Sequence, residues 1–243
     1  MAKGPERSCQ STLYSRKPNR QPNSMRVIDH YLSPNFKDEL IPVDFIVLHY
    51  TACSLAKTLE IFMDPARGVT AHFVIDTNGD CYDLGSSLDG NVRKGAHAGV
   101  SQITVDKQPF TALNNNSIGI ELVNLNGNVI DFTDAQYTSL AELITKLQIQ
   151  FPALKNANRI IGHEHIAHFR GKCDPGLRFN WKRLFTALKM KPNPIHQFHA
   201  CTPDDLEFIE AKMKSTLGPN DETWPNLSLE LEQRIAKGRP KTS

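Results

Sequence analysis

The chain has 243 residues, 40% of them hydrophobic and 22% charged, with a formal net charge of +2. This is ordinary globular composition, long enough for one sizeable domain with appendages and for a core that needs no disulfide. It carries no basic stripe interleaved with aromatics and no window near the length of a membrane span, so neither a nucleic-acid partner nor a membrane span is expected.

Residues 1–24 are polar, basic and rich in Pro, Ser, Asn and Arg, and are expected to form a disordered tail. They contain no apolar segment of the kind a secretory signal needs, and Cys9 lacks the apolar run that precedes a lipoprotein cysteine. The apolar run Phe45–Leu48 in "DFIVLHYTA" predicts a central strand ending at His49. "SLAKTLEIFMDP" has helical spacing, with Leu55, Leu59 and Phe62 on one side and Pro65 as the stop. "TAHFVIDTNGDCYDL" predicts two short strands around an Asn78-Gly79 turn. "NNNSIGIELVNLNG" predicts a strand with Glu121 in an otherwise apolar run. "TDAQYTSLAELITKLQIQF" predicts a helix capped by Thr133, with Leu140, Leu143, Ile144 and Leu147 as its apolar stripe. "RIIGH" predicts a buried strand ending at His163, and "FNWKRLFTALK" an amphipathic helix.

Alternating strands and helices with a hairpin predict an α/β fold with a mixed central sheet flanked by helices. The predicted domain spans residues 25–190. The character changes from Lys191, and residues 191–243 are expected to form a short helical C-terminal extension. Its first helix is signalled by Thr202 as cap, Pro203 in the first turn and Gly218 at the stop; "LSLELEQRIAKG" predicts a second.

Cys9, Cys53, Cys81, Cys173 and Cys201 are odd in number and widely spaced, which reads as reduced thiols. With no leader visible, a cytoplasmic location is expected, and an envelope location if a leader has been removed.

His49 and His163 each end a predicted buried strand, where open α/β sheets place their sites. Asp174 lies in "CDPG", whose Pro175-Gly176 turn can fold the carboxylate back toward His163. Two imidazoles and a carboxylate match a three-ligand zinc site with a fourth position open. Taken singly, each histidine reads as a packed core or rim residue; taken together with the Asp-Pro-Gly turn, the three favour a metal site.

"IVLHYTA", "TAHFVIDTNGDCYDL", "HAGVS", "NNNSIGIELVN" and "IIGHEHIAHFRGKCDPGLRFNW" occur in that order. Together they resemble the zinc-dependent N-acetylmuramoyl-L-alanine amidases of the amidase-2 type, from about Ser33 to Leu184. The resemblance implies one zinc ion per chain held by His49, His163 and Asp174. It implies Glu121 and Lys172 as catalytic residues and His97 as a substrate-binding residue of the cleft. Tyr50, next to His49, is a further expected substrate contact. A carboxylate in an apolar strand suits a general base, and a lysine beside the metal suits an oxyanion. The implied substrate is peptidoglycan or a muropeptide derived from it, cleaved by a monomer between the lactyl group of N-acetylmuramic acid and L-alanine.

Cys173 competes with Asp174 as third ligand, since distant relatives use a cysteine there; the register of "K-x-D-P-G" favours Asp174. His165 and His168 read as solvated loop histidines, and the close relatives have proline where His168 stands. His72 reads as a structural or cleft-wall residue, and Asn114–Asn116 as a polar loop beside the cleft. One rival is a non-catalytic peptidoglycan-binding module of the same fold, but such modules lose a zinc ligand. A peptidase is the other, and no HExxH motif is present.

Overall fold

A computed structural model describes residues 25–215 and 220–238. The tail expected over 1–24, including Cys9, and the helix stop expected at Gly218 lie outside the described residues. The strands are β1 (Val27–Ile28), β2 (Phe45–Tyr50), β3 (Phe73–Ile75), β4 (Cys81–Asp83), β5 (Gln102–Val105), β6 (Gln108–Thr111), β7 (Ser117–Leu122) and β8 (Ile160–Gly162). The helices are α1 (Leu55–Met63), α2 (Asp134–Gln150), α3 (His163–Ala167), α4 (Trp181–Ala187), α5 (Pro203–Ser215) and α6 (Thr223–Gly238).

The main sheet has the order β1-β4-β3-β7-β2-β8. Strands β3, β7, β2 and β8 are mutually parallel, so their C-terminal ends share one edge. β4 returns antiparallel to β3 through the Asn78-Gly79 turn, where Gly79 takes a positive φ, and β1 pairs with β4. The mixed sheet is therefore as the alternation of elements predicts.

β2 and β7 are apolar on both faces because both faces are covered. On one face Ile46, Leu48, Ile118 and Ile120 pack against the α2 stripe of Leu140, Leu143, Ile144 and Leu147. α2 starts in a capping box: Thr133 accepts from the Gln136 backbone N–H, and the Gln136 side chain accepts from the Thr133 N–H. On the other face Phe45, Val47 and Ile161 meet Val105, Leu113 and Ile166. The β5–β6 hairpin contributes to this second layer; its sequence, "QITV" and "QPFT", has too little apolar alternation to announce a strand pair.

The C-terminal helices share a core with the rest of the molecule. Ile209, Trp224, Leu227, Leu231 and Ile235 bury themselves around Cys173, with Leu125, Ile130 and Leu177 packed against the same cluster. α6 begins at Thr223, ahead of the predicted segment. The signal for that earlier start is Asn220, whose Oδ1 accepts the Thr223 N–H at 2.8 Å, followed by Pro225 in the first turn. No helix among the described residues is long and apolar enough to cross a membrane.

Candidate metal centre and cleft

Strand register assembles half of the site. His49 and Glu121 are paired across β2 and β7, one residue short of each strand's end. On the other side of β2, Leu48 pairs with Gly162, so the next residue of that chain, His163, arrives at the same edge. His163 is the first residue of α3 and not the last of β8, a correction to the predicted strand end. The turn from strand to helix leaves its side chain at the edge.

The third group returns from downstream. The backbone N–H of Glu164 donates to the Asp174 carbonyl at 2.9 Å, and that of Lys172 to the Ala167 carbonyl at 3.3 Å. These bonds lay residues 172–174 alongside α3. Asp174 Oδ2 then lies 2.9 Å from His49 Nδ1 and 3.2 Å from His163 Nδ1, although His49 is 125 residues away in sequence. All three side chains are buried, and one donor atom from each falls within 4.8 Å of the others.

The chemistry of this set fits a divalent metal. His163 Nε2–H donates to the Ala98 carbonyl at 3.2 Å, a tautomer that leaves the Nδ1 lone pair facing Asp174. His49 Nε2 lies 3.2 Å from His97 Nδ1, again leaving Nδ1 inward. Burial lowers His49 to about 4 despite the neighbouring carboxylate, so its ring is neutral, as a metal ligand must be. Burial alone would raise Asp174, but the two histidines packed against it outweigh burial and hold the carboxyl well below its usual range. Two imidazoles and a carboxylate are a donor set that zinc accepts.

Glu121 and Lys172 line the same cavity, of about 410 Å³, as His49, His163 and Asp174. Glu121 Oε2 is buried and has no hydrogen-bond partner among the described residues. Burial, with a smaller push from Asp174, raises the Glu121 carboxyl to about 8, against the opposing charge of Lys172. A carboxyl so placed is matched to exchange protons near neutrality. Lys172 Nζ donates to both carboxylate oxygens of Glu232, at 2.8 and 2.7 Å. Burial disfavours the ammonium, but the charges of Glu232 and Asp174 outweigh this and raise Lys172 above its usual value.

His97 sits on the cleft wall with its ring over Gly119. A Cβ at Gly119 would overlap that ring, so only glycine admits it. Asn114 Oδ1 accepts the backbone N–H groups of His97 and Ala98 at 3.1 and 2.7 Å, which gives the polar 114–116 loop the task of shaping the wall. Tyr50 lines the cavity too, while its hydroxyl lies 3.8 Å from Cys173 Sγ.

Several other residues are resolved by position. Cys173 points away from His49 and His163 into the C-terminal apolar cluster, where Asn128 Nδ2 donates to its sulfur at 3.5 Å. Burial pushes its thiol well above its usual value. His165 is not solvated: it is buried, its Nδ1 accepts the Gly162 N–H at 3.0 Å, and its ring packs on Trp181. His168 is half-buried against Phe198. Both reside on or beside α3, whose packing the loop reading did not anticipate. His72 is structural, its Nδ1 accepting the Gly119 N–H at 3.0 Å. Glu232 is the site residue that spacing could not reveal, since 60 residues separate it from Lys172.

A family model described as N-acetylmuramoyl-L-alanine amidase matches residues 39–177. The chain is 32% identical over 189 residues to a 1,6-anhydro-N-acetylmuramyl-L-alanine amidase AmpD from Haemophilus influenzae, covering 75% of this chain and 92% of that protein. It is similar to a crystal structure of AmpD at 28% identity, with a TM-score of 0.51, over 68% of this chain and 94% of that one. AmpDh3 from Pseudomonas aeruginosa, solved in complex with an anhydromuramic pentapeptide, is 25% identical with a TM-score of 0.50. That match covers 89% of this chain and 82% of the solved one.

Proposed function

The chain belongs to the N-acetylmuramoyl-L-alanine amidase family, and from that membership we propose that it uses one zinc ion to hydrolyse the amide joining the lactyl group of N-acetylmuramic acid to L-alanine. The sugar is in its ordinary or 1,6-anhydro form, and the substrate is a muropeptide or peptidoglycan bound by a monomer. The observation that carries this reading is the convergence of His49, His163 and Asp174 in a cleft that also holds Glu121 and Lys172.

In this reading His49, His163 and Asp174 hold the metal. When bound, zinc polarises the scissile carbonyl and acidifies the attacking water. Glu121 accepts the proton from that water and passes it to the alanine nitrogen as the amide breaks. With a divalent metal on the triad, Glu121 would be favoured as the carboxylate, the form that accepts a proton. Lys172 places its ammonium where negative charge develops on the carbonyl oxygen. His97 and Tyr50 form the wall against which the acyl group or the first peptide residue rests.

The test is mass spectrometry of purified muropeptides and intact sacculi after incubation with the zinc-loaded protein. Release of free stem peptide beginning with L-alanine, alongside the intact sugar, is the expected result. Comparison of 1,6-anhydro and reducing-end sugars with sacculi separates recycling of soluble fragments from wall remodelling. Cleavage within the peptide, or no cleavage of any of these substrates, would overturn the proposal.

A further inference from the structure

The C-terminal helix α6 enters the cleft. Ser228, Leu229 and Glu232 project from it onto one wall of the cavity that holds His49, Glu121 and Lys172. It is fixed there at several independent points. At its approach, Asp221 accepts both the backbone N–H and the hydroxyl of Ser54, the residue that caps α1. At its middle, the backbone carbonyl of Glu232 lies against Gly171, where a Cβ would collide with it. On its inner face Trp224, Leu227 and Leu231 pack around Cys173, the residue between Lys172 and Asp174.

Lys172 lies at the centre of these contacts. A lysine has a flexible four-carbon stem, and as a point charge it has no geometry of its own to fix it. Asp174 and Glu121 are the other carboxylates whose charges act on it within the cleft. Left free, the ammonium is drawn to them, onto a ligand or onto the proton-transfer group. Glu232 instead binds it with both oxygens from the opposite wall, at 2.8 and 2.7 Å, and both partners are largely withdrawn from solvent.

We propose that Glu232 is a positioning residue of the hydrolytic site: it holds the Lys172 ammonium in place for the developing oxyanion, and so makes α6 a working part of the cleft. This rests on the oxyanion role given above to Lys172. Group placement of this kind acts on the transition state far more than on ground-state binding.

The experiment compares wild type, Glu232→Gln, Glu232→Asp, Lys172→Met and the Lys172→Met/Glu232→Gln double variant. The substrate is anhydro-N-acetylmuramyl-L-Ala-D-γ-Glu-L-Lys, and kcat, KM and bound zinc are measured for each. Glu232→Gln is expected to lower kcat by about 10- to 100-fold with KM within about threefold and zinc unchanged. Glu232→Asp, which restores a carboxylate, is expected to recover part of that loss. The double variant is expected to be no slower than Lys172→Met alone. A Glu232→Gln enzyme with kcat unchanged or raised, as a restraining clasp would give, overturns the proposal. So does a loss of kcat that occurs only together with zinc loss, or one that persists undiminished on top of Lys172→Met. If Lys172→Met itself turns over like wild type, it is the oxyanion reading of Lys172 that fails, a result distinct from all of these.

Discussion

Two regions supply the site, and they are built in opposite ways. His49 and Glu121 stand in register on adjacent parallel strands, and His163 follows the end of a third; their meeting is a property of the sheet. Lys172 and Asp174 stand on a returning loop whose shape depends on α3 on one side and on α6 on the other. The sheet edge is held by a core of fully buried aliphatics. The loop is held by a second apolar cluster that closes only when the last helices dock around Cys173. Lys172 and Asp174 thus flank a residue packed by the C-terminal helices, whereas His49 and Glu121 are placed by the sheet alone.

That contrast can be broken at several points, beginning with the strand side. Glu121→Gln removes the proposed proton carrier and leaves the three converging donors alone. Its kcat should fall by about 10²- to 10⁴-fold with zinc content unchanged, measured by steady-state kinetics and elemental analysis. A loss of zinc in that variant would show that the strand edge and the metal triad are not separable.

Gly171→Ala tests the loop side without touching any charged group. Gly171 has φ +87°, and a methyl there meets the Glu232 carbonyl. We expect about 1–3 kcal/mol of destabilisation in urea unfolding, together with reduced turnover as α6 is displaced. Wild-type stability and turnover would mean that α6 is not pressed against the loop.

Cys173→Ser puts a hydroxyl into the apolar cluster. Asn128 and Tyr50 stand near enough to meet it, so the cost should be about 1 kcal/mol in the same unfolding assay.

The smallest expected effect lies behind the loop. The hydrogen bond with buried Glu164, 3.3 Å away, raises His199 above its usual value. Glu164 is itself raised by burial, against the opposing pull of His199. A histidine raised on folding stabilises fully below its unfolded value of about 6.5, and that contribution is lost as pH rises through the higher folded value. Melting temperature should therefore decline across that window in wild type, and His199→Gln should flatten the decline. An unchanged slope would remove His199 from the account.

The sequence makes the strand-borne half legible because its signals are local. "IVLH" is an apolar run ending in one histidine and "IGIEL" one broken only by its glutamate, a pattern that a two-faced buried strand imposes and that marks His49 and Glu121. Asp174 is legible through the turn chemistry of "CDPG" and through the family motif. What is not legible arises from tertiary packing. In "GHEHIAHFRGKCDPG" His165 reads as a solvated loop histidine and Cys173 as a rival ligand, yet one is buried against Trp181 and the other in the C-terminal cluster, which no local spacing specifies. Glu232 lies in the segment "LSLELEQRIAKG", whose spacing predicts a helix and gives no sign of what it packs against. Only docking of that helix brings its carboxylate to Lys172.

The central claim is that His49 on β2 and His163 at the start of α3 share a metal with the carboxylate of Asp174 and not with the thiol beside it. Zinc stoichiometry, measured by elemental analysis on purified wild type, Asp174→Ala and Cys173→Ser, tests it most directly. The account predicts one zinc per chain in wild type and Cys173→Ser, and its loss in Asp174→Ala. Zinc retained by Asp174→Ala and lost by Cys173→Ser would contradict it.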